Sequence, residues 1–96
     1  MKFNFHPEAE RELNEAIAFY EDKEIGLGFD FAAEVYSTIL RLMTFPQAWP
    51  LIDAEIRRSL VMRFPYGVLY SEGKDEVIII AVMNLHRKPD YWKDRV

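Results

Sequence analysis

The run Val77-Ile-Ile-Ile-Ala-Val82 constrains this chain more than any other stretch. β-Branched side chains lose rotamer freedom in a helix and pack well on a pleated surface, so the run predicts a strand. It lacks the apolar–polar alternation of a half-buried strand. Either both its faces are covered or it crosses under other elements. Its neighbours then predict the rest of a sheet. Glu72-Gly-Lys-Asp75 predicts a turn with Gly73 as its left-handed residue, and Tyr66 to Ser71 predicts the preceding strand. Pro65 cannot donate to a ladder and marks a connection. Before it, Ile56, Leu60, Met62 and Phe64 share one parity, and Arg57, Ser59, Val61 and Arg63 share the other. That alternation predicts the first set facing inward and the second outward. Arg58 falls in the inward register, which requires a strand end or a bulge.

The first half of the chain reads differently. Lys2 to Phe5 alternates, with Phe3 and Phe5 on one side, and predicts a short strand. Pro7 suits the first position of a helix, and Glu8, Glu10 and Glu12 place negative charge near its positive end. Ala9, Leu13, Ala16, Ile17 and Tyr20 form its apolar stripe to about Lys23. Gly26 and Gly28 break the pattern. A second helix is predicted from about Phe29 to Phe45, burying Ala32, Val35, Tyr36, Ile39, Leu40 and Met43, with Phe29, Phe31 and Leu42 widening the stripe. Pro46 stops it. Trp49, between Pro46 and Pro50, is expected to cap one end of the core. The short connection makes the helices an antiparallel hairpin. The expected fold class is α+β: an N-terminal strand, the helical hairpin, then a three-stranded antiparallel run, forming one sheet packed on the helices. Residues 1–96 make a single domain. The place of the first strand in the sheet stays open.

Several function classes are disfavoured. There is no cysteine, so disulfides and thiolate metal sites are absent. The N-terminus turns acidic at once, unlike a signal peptide, and no apolar run is long enough to span a bilayer. A cytoplasmic protein without a membrane partner is expected. Gly26-Leu-Gly28 lacks the third glycine and preceding strand of a dinucleotide fingerprint, and Ser37, Ser59 and Ser71 lack a nucleophile-elbow context. His6 and Glu10, with Glu8, Glu12 and Glu15 near, have ligand chemistry, but His6 precedes a proline at a helix boundary and no second histidine is close. No metal and no cofactor is expected. The net charge of −4 is unevenly spread. Residues 1–54 hold four basic and ten acidic side chains, and residues 55–96 hold eight and six. The sheet half can therefore present a locally positive face.

The basic residues fall into two groups. Arg57, Arg58 and Arg63 bracket one strand, and His86, Arg87, Lys88, Lys93 and Arg95 follow the last one, with Tyr91 and Trp92 among them. Guanidinium groups pair with phosphates and aromatic rings stack on bases. Metal-free RNA cleavage needs a base, a cation for the charged phosphorane and an acid, and His86, Tyr91 and the arginines are residue types for those roles. The plainer alternative is that these charges solvate strand ends and that Tyr91 and Trp92 fold back onto the core.

Four segments together resemble one family. They are H-P-E-A-E-R-E-L-N-E-A from His6, F-P-Q-A-W-P at Phe45–Pro50, R-R-S-L-V-M-R-F-P-Y-G-V-L-Y from Arg57, and A-V-M-N-L-H-R-K-P-D-Y-W from Ala81. In this order the chain resembles the RelE/ParE superfamily of toxins from bacterial type II toxin–antitoxin modules. The resemblance implies a growth-inhibiting, plasmid-stabilising toxin neutralised by a cognate antitoxin in a hetero-oligomer. ParE-like members inhibit DNA gyrase and are not themselves enzymes. RelE-like members are metal-independent endoribonucleases that cleave mRNA on the ribosome. A nuclease would draw its site from Arg57, Arg58, Arg63, Arg87 and Tyr91. The RelE-type pattern has an arginine after the tyrosine that opens the strand, whereas Tyr66 here precedes Gly67, and Ser59–Met62 holds none of that type's lysines. The resemblance therefore leans to ParE. A degenerate member that only binds its antitoxin is the third alternative. The implied target- or phosphate-binding set is Arg63, Tyr66, His86, Arg87, Lys88, Tyr91 and Trp92.

Overall fold

A computed structural model describes all of residues 1–96. The chain forms β1 (Lys2–Phe5), α1 (Pro7–Lys23), α2 (Leu27–Thr44), β2 (Leu51–Asp53), β3 (Ile56–Leu60), β4 (Tyr66–Glu72), β5 (Glu76–Asn84) and a closing 3₁₀ turn at Lys93–Arg95. The strands make one five-stranded sheet in the order β1-β5-β4-β3-β2. β1 lies parallel to β5, pairing Phe3 with Val77 and Phe5 with Ile79. The other neighbours are antiparallel. The fold is the expected α+β arrangement, with one added edge strand. β2 has three residues, too few to leave a periodic signal.

Local chemistry explains the helical hairpin. Pro7 opens α1, and the Nδ1 of His6 accepts from the Glu8 N–H at 3.0 Å, so His6 caps the helix. Gly26 turns the chain with φ 91°, and the Glu21 carboxylate accepts from the N–H groups of Gly26 and Gly28. A Cβ on Gly28 would lie 2.6 Å from the Ile17 carbonyl oxygen, so only glycine lets α2 approach α1 this closely there.

Three local expectations are corrected. α2 buries Phe31, Val35, Thr38, Ile39 and Leu42, while Phe29, Tyr36 and Leu40 are exposed. The helix is apolar on most sides, so its period could not choose the face; Thr38 joins the core by donating its hydroxyl to the Glu34 carbonyl. The parity of β3 is inverted. Ile56 lies in the cluster on the sheet face away from the helices, and Leu60 and Met62 are exposed. Ser59 pairs with Val68 on the helix side, where Val61 and Phe64 are buried as well. The strand ends at Leu60, and Arg63 reverses the chain at φ 71°, which breaks the alternation assumed to run through to Phe64. Gly73 is not left-handed; Gly26 is the glycine with a positive φ.

β5 is covered on both faces, the first of the two arrangements its composition allowed. On one side, α1 and α2 seal a core in which Tyr20, Phe31, Phe64 and Tyr66 pack ring against ring, with centroids 4.8–6.2 Å apart. Trp49 packs at its margin, and the Tyr70 hydroxyl donates to the Pro46 carbonyl, tying the proline loop to the sheet. On the other side, Ile56, Leu69, Ile80, Ala81 and Met83 lie under Trp92. No helix is long and apolar enough to cross a membrane.

Candidate functional site

The site begins where β1 stops. The last ladder bond on that edge of β5 runs from the His6 N–H to the Ile79 carbonyl, at 2.8 Å. Beyond it β5 continues to Asn84 with no strand on that edge, where its backbone groups still need partners. Side chains supply them. The Glu12 carboxylate of α1 accepts from the Val82 N–H at 3.0 Å, and the Arg95 guanidinium donates to the Ile80 carbonyl at 3.1 Å. Glu12 and Arg95 then join each other through two hydrogen bonds, of 2.9 and 3.0 Å. The Tyr91 hydroxyl donates to the same carboxylate at 2.6 Å. Both members of the ion pair are nearly buried, with side chains 8% and 9% exposed. A buried charge pair is tolerable when further hydrogen bonds satisfy it, and here Glu12 accepts four and Arg95 donates three.

This network fixes the C-terminal segment. Burial, and then the hydrogen bond to Glu12, push the Tyr91 phenol above its ordinary range, so it keeps its proton. Its ring carries Arg87, whose guanidinium sits 3.9 Å above the centroid. Arg87 Nη1 is 3.8 Å from Glu12, yet the side chain is 54% exposed. Arg87 is therefore held in place while still facing solvent. It stands at one end of a cleft of about 580 Å³ between α1 and the ends of β4 and β5, lined also by Glu15, Phe19, Tyr66, Asn84 and His86.

The expected site residues divide accordingly. Tyr66, His86, Arg87 and Tyr91 gather at or beside this cleft, and Lys88 is exposed on the adjoining loop. The strand arginines do not join them. Arg57 donates to the carbonyl oxygens of Trp49, at 2.7 Å, and Gln47, at 3.4 Å, and so binds the proline loop. Arg58 points to the sheet face away from the helices. Its stem would lie 3.1 Å from a Cβ on Gly67, so Gly67 makes room for it. Arg63 stands beside α2, 3.6 Å from Asp30 and 3.9 Å from Glu34. The set Arg57, Arg58, Arg63, Arg87 and Tyr91 is thus spread over the molecule and does not converge on one phosphate. Trp92, expected as a surface contact, is 1% exposed and donates its indole N–H to the Pro89 carbonyl. It belongs to the core because it packs over five buried apolar sheet residues on that face.

Glu12 and Arg95 were missed as site residues. A signal for Glu12 existed: it lies three residues after Ala9 and four before Ala16, so it borders the buried stripe of α1. Nothing near Arg95 in the sequence marks its partner, 83 positions away.

No family model matches the chain, and no curated protein does either. Among solved structures, a chain of the chromosomal ParDE TA system from P. aeruginosa is similar, with a TM-score of 0.75. The match covers 90% of this chain and 97% of that one, at 14% sequence identity. The fold is ParE-like. At that identity the likeness is one of architecture, and it agrees with the RelE/ParE-like arrangement that the sequence motifs implied.

Proposed function

We propose that this chain is the toxin of a type II toxin–antitoxin module, held inactive in the cytoplasm by a cognate antitoxin and acting, ParE-like, on DNA gyrase. The observation that carries this reading is the fold it shares with a chain of a ParDE system, over nearly the full length of both. The choice of a protein target rests on the site. Arg57, Arg58 and Arg63 are turned to three different places, and only Arg87 reaches the cleft. Tyr91 has its proton committed to Glu12 and is poorly suited to acid–base work at neutral pH. A net charge of −4 also fits a protein target better than extended contact with RNA phosphates. The mechanism is then binding: the cleft and its exposed basic rim, His86, Arg87 and Lys88, engage gyrase and arrest its cycle. The antitoxin has an apolar surface available in Phe29, Tyr36 and Leu40 along α2.

Expression without the antitoxin tests this reading. Growth should stop, purified gyrase should lose supercoiling activity or accumulate cleaved DNA, and the product of a neighbouring antitoxin reading frame should reverse both effects. Messenger RNA in a translating ribosome system should stay intact. Codon-dependent cleavage there would instead establish the ribosome as target, and unimpaired growth would leave a chain that only binds its antitoxin.

A further inference from the structure

We infer that Glu12 is a positioning residue, which clasps the C-terminal segment Leu85–Val96 onto the free edge of β5 so that Arg87 is presented at the cleft. The inference deepens the gyrase reading and rests on it for the use to which Arg87 is put. The clasp itself rests on geometry alone. Glu12 joins α1 to both β5 and the tail: it accepts from Val82 of the strand and from Tyr91 and Arg95 of the tail. Arg95 adds its own bond to Ile80, so the tail is tied to the strand edge at two successive unpaired positions. Removing the carboxylate therefore takes away the Val82 tie and leaves Arg95 held to the strand by its bond to Ile80 alone.

The exposed end of the tail depends on these ties. The backbone from Leu85 to Pro89 lies between β5 and the anchored turn; Leu85 donates to Pro65, His86 and Arg87 donate back to Asn84, and the carbonyls of Lys88 and Pro89 accept from the Tyr91 N–H and the Trp92 indole. The Arg87 side chain has no hydrogen bond to the protein. Its place is set by the Tyr91 ring, 3.9 Å away, and by the Glu12 charge at 3.8 Å. Tyr91 in turn is oriented by its hydroxyl on Glu12. Both side-chain contacts that orient the Arg87 guanidinium thus pass through Glu12 or through a ring that Glu12 holds. Phe19, Tyr66 and Val82 sit on rigid elements and need no such help.

The test separates positioning from simple support. Glu12→Gln alone would strand the nearly buried Arg95 without its partner and endangers the fold. The working variant is therefore Glu12→Gln with Arg95→Met, which removes both charges together. Tyr91→Phe is the milder companion, keeping the ring under Arg87 and losing only the hydroxyl. Hydrogen exchange of the peptide covering residues 85–96 is measured first. The double variant should exchange there about tenfold faster, with exchange in α2 and β4 unchanged. Gyrase supercoiling inhibition is measured next, in the presence and absence of Arg87→Ala. The double variant should weaken inhibition about tenfold, and Tyr91→Phe about threefold. Adding Arg87→Ala to the double variant should cost nothing more, because the two changes remove the same contact. Losses that multiply would show that Glu12 acts apart from Arg87 and would overturn the inference, as would unchanged exchange in the tail. If wild-type protein neither slows growth nor inhibits gyrase, the toxin reading fails, and exchange alone then decides the clasp.

Discussion

The two faces of the sheet are built on different principles. The helix side buries fourteen mutually packed residues, and the opposite side buries six. The larger core comes from two helices of 17 and 18 residues, and the stripe of the first was legible in the sequence. The smaller one is closed by one indole on a tail with no helix or strand of its own beyond a three-residue 3₁₀ turn. Apolar burial holds the first in place. The second is held by burial of Trp92 and also by a carboxylate that gathers a backbone N–H, a phenol and a guanidinium. The difference teaches that a thin cover can be made firm by polar ties, provided every buried polar group is satisfied. No buried side-chain nitrogen or oxygen here lacks a partner.

The comparison breaks first if the helix side is not the dominant store of stability. Phe31 is fully buried and touches the rings of Tyr20, Phe64 and Tyr66. Phe31→Ala should destabilise the fold by about 4 kcal/mol, a large share of what a domain of this size commands. Urea denaturation followed by circular dichroism should show one early, cooperative transition. A loss below about 1 kcal/mol would mean that the core re-packs and that its aromatic cluster is not its centre.

The outer face should respond less and more locally. Trp92→Ala uncovers Ile56, Leu69, Ile80 and Met83, but the tail around it can still close part of the gap. The expected loss is about 3 kcal/mol. Its signature is regional: proteolysis should nick residues 85–96 while the helix-side core stays protected. If Trp92→Ala unfolds the whole chain as readily as Phe31→Ala, the two faces are one cooperative unit and the contrast drawn above disappears.

How much of this could be read from the sequence follows the same division. The strand run at Val77–Val82, the proline and glycine stops and the stripe of α1 were legible because each is a local pattern. The buried face of α2 was not, because Phe29, Tyr36 and Leu40 are as apolar as the residues that won. β3 misled because both parities carry apolar side chains and the deciding event is a left-handed residue, Arg63, that no local rule foresees. At the candidate site, the cluster of Tyr66, His86, Arg87 and Tyr91 was visible as strand-end chemistry. The partner of that chemistry was not, since Glu12 and Arg95 meet only once the chain has folded.

The arginines sharpen the comparison at smaller amplitude. Arg57 works for the helix-side core by holding the proline loop through two carbonyl oxygens, and Arg87 works at the surface. Arg57→Ala should cost about 1.5 kcal/mol of stability and leave gyrase inhibition unchanged once the protein is folded. Arg87→Ala should change stability by less than about 0.5 kcal/mol and weaken inhibition. Thermal melts paired with supercoiling assays check both. The reverse pattern would exchange their roles and reopen the strand arginines as a functional set.

The smallest effect is the most specific to the polar ties. Tyr91→Phe removes one hydroxyl from Glu12 and should cost about 1 kcal/mol near pH 8. The pH dependence of that difference has a definite sign. Burial first, and then the bond to Glu12 and its charge, raise the folded-state pKa of Tyr91 above the ordinary 10.0, while Arg95 and Arg87 pull the other way without prevailing. A group with a raised folded pKa contributes stability that is fully present below its unfolded value and is lost as pH rises through the folded one. Wild type should therefore lose stability above pH 10 more steeply than Tyr91→Phe, and its advantage should shrink and vanish there. Tyr20 and Tyr70, also raised by burial, titrate in both proteins and cancel from the difference. Urea melts of the pair at pH 8, 10 and 11 decide it, because a constant difference across that range would mean that the phenol is not tied to Glu12 in solution.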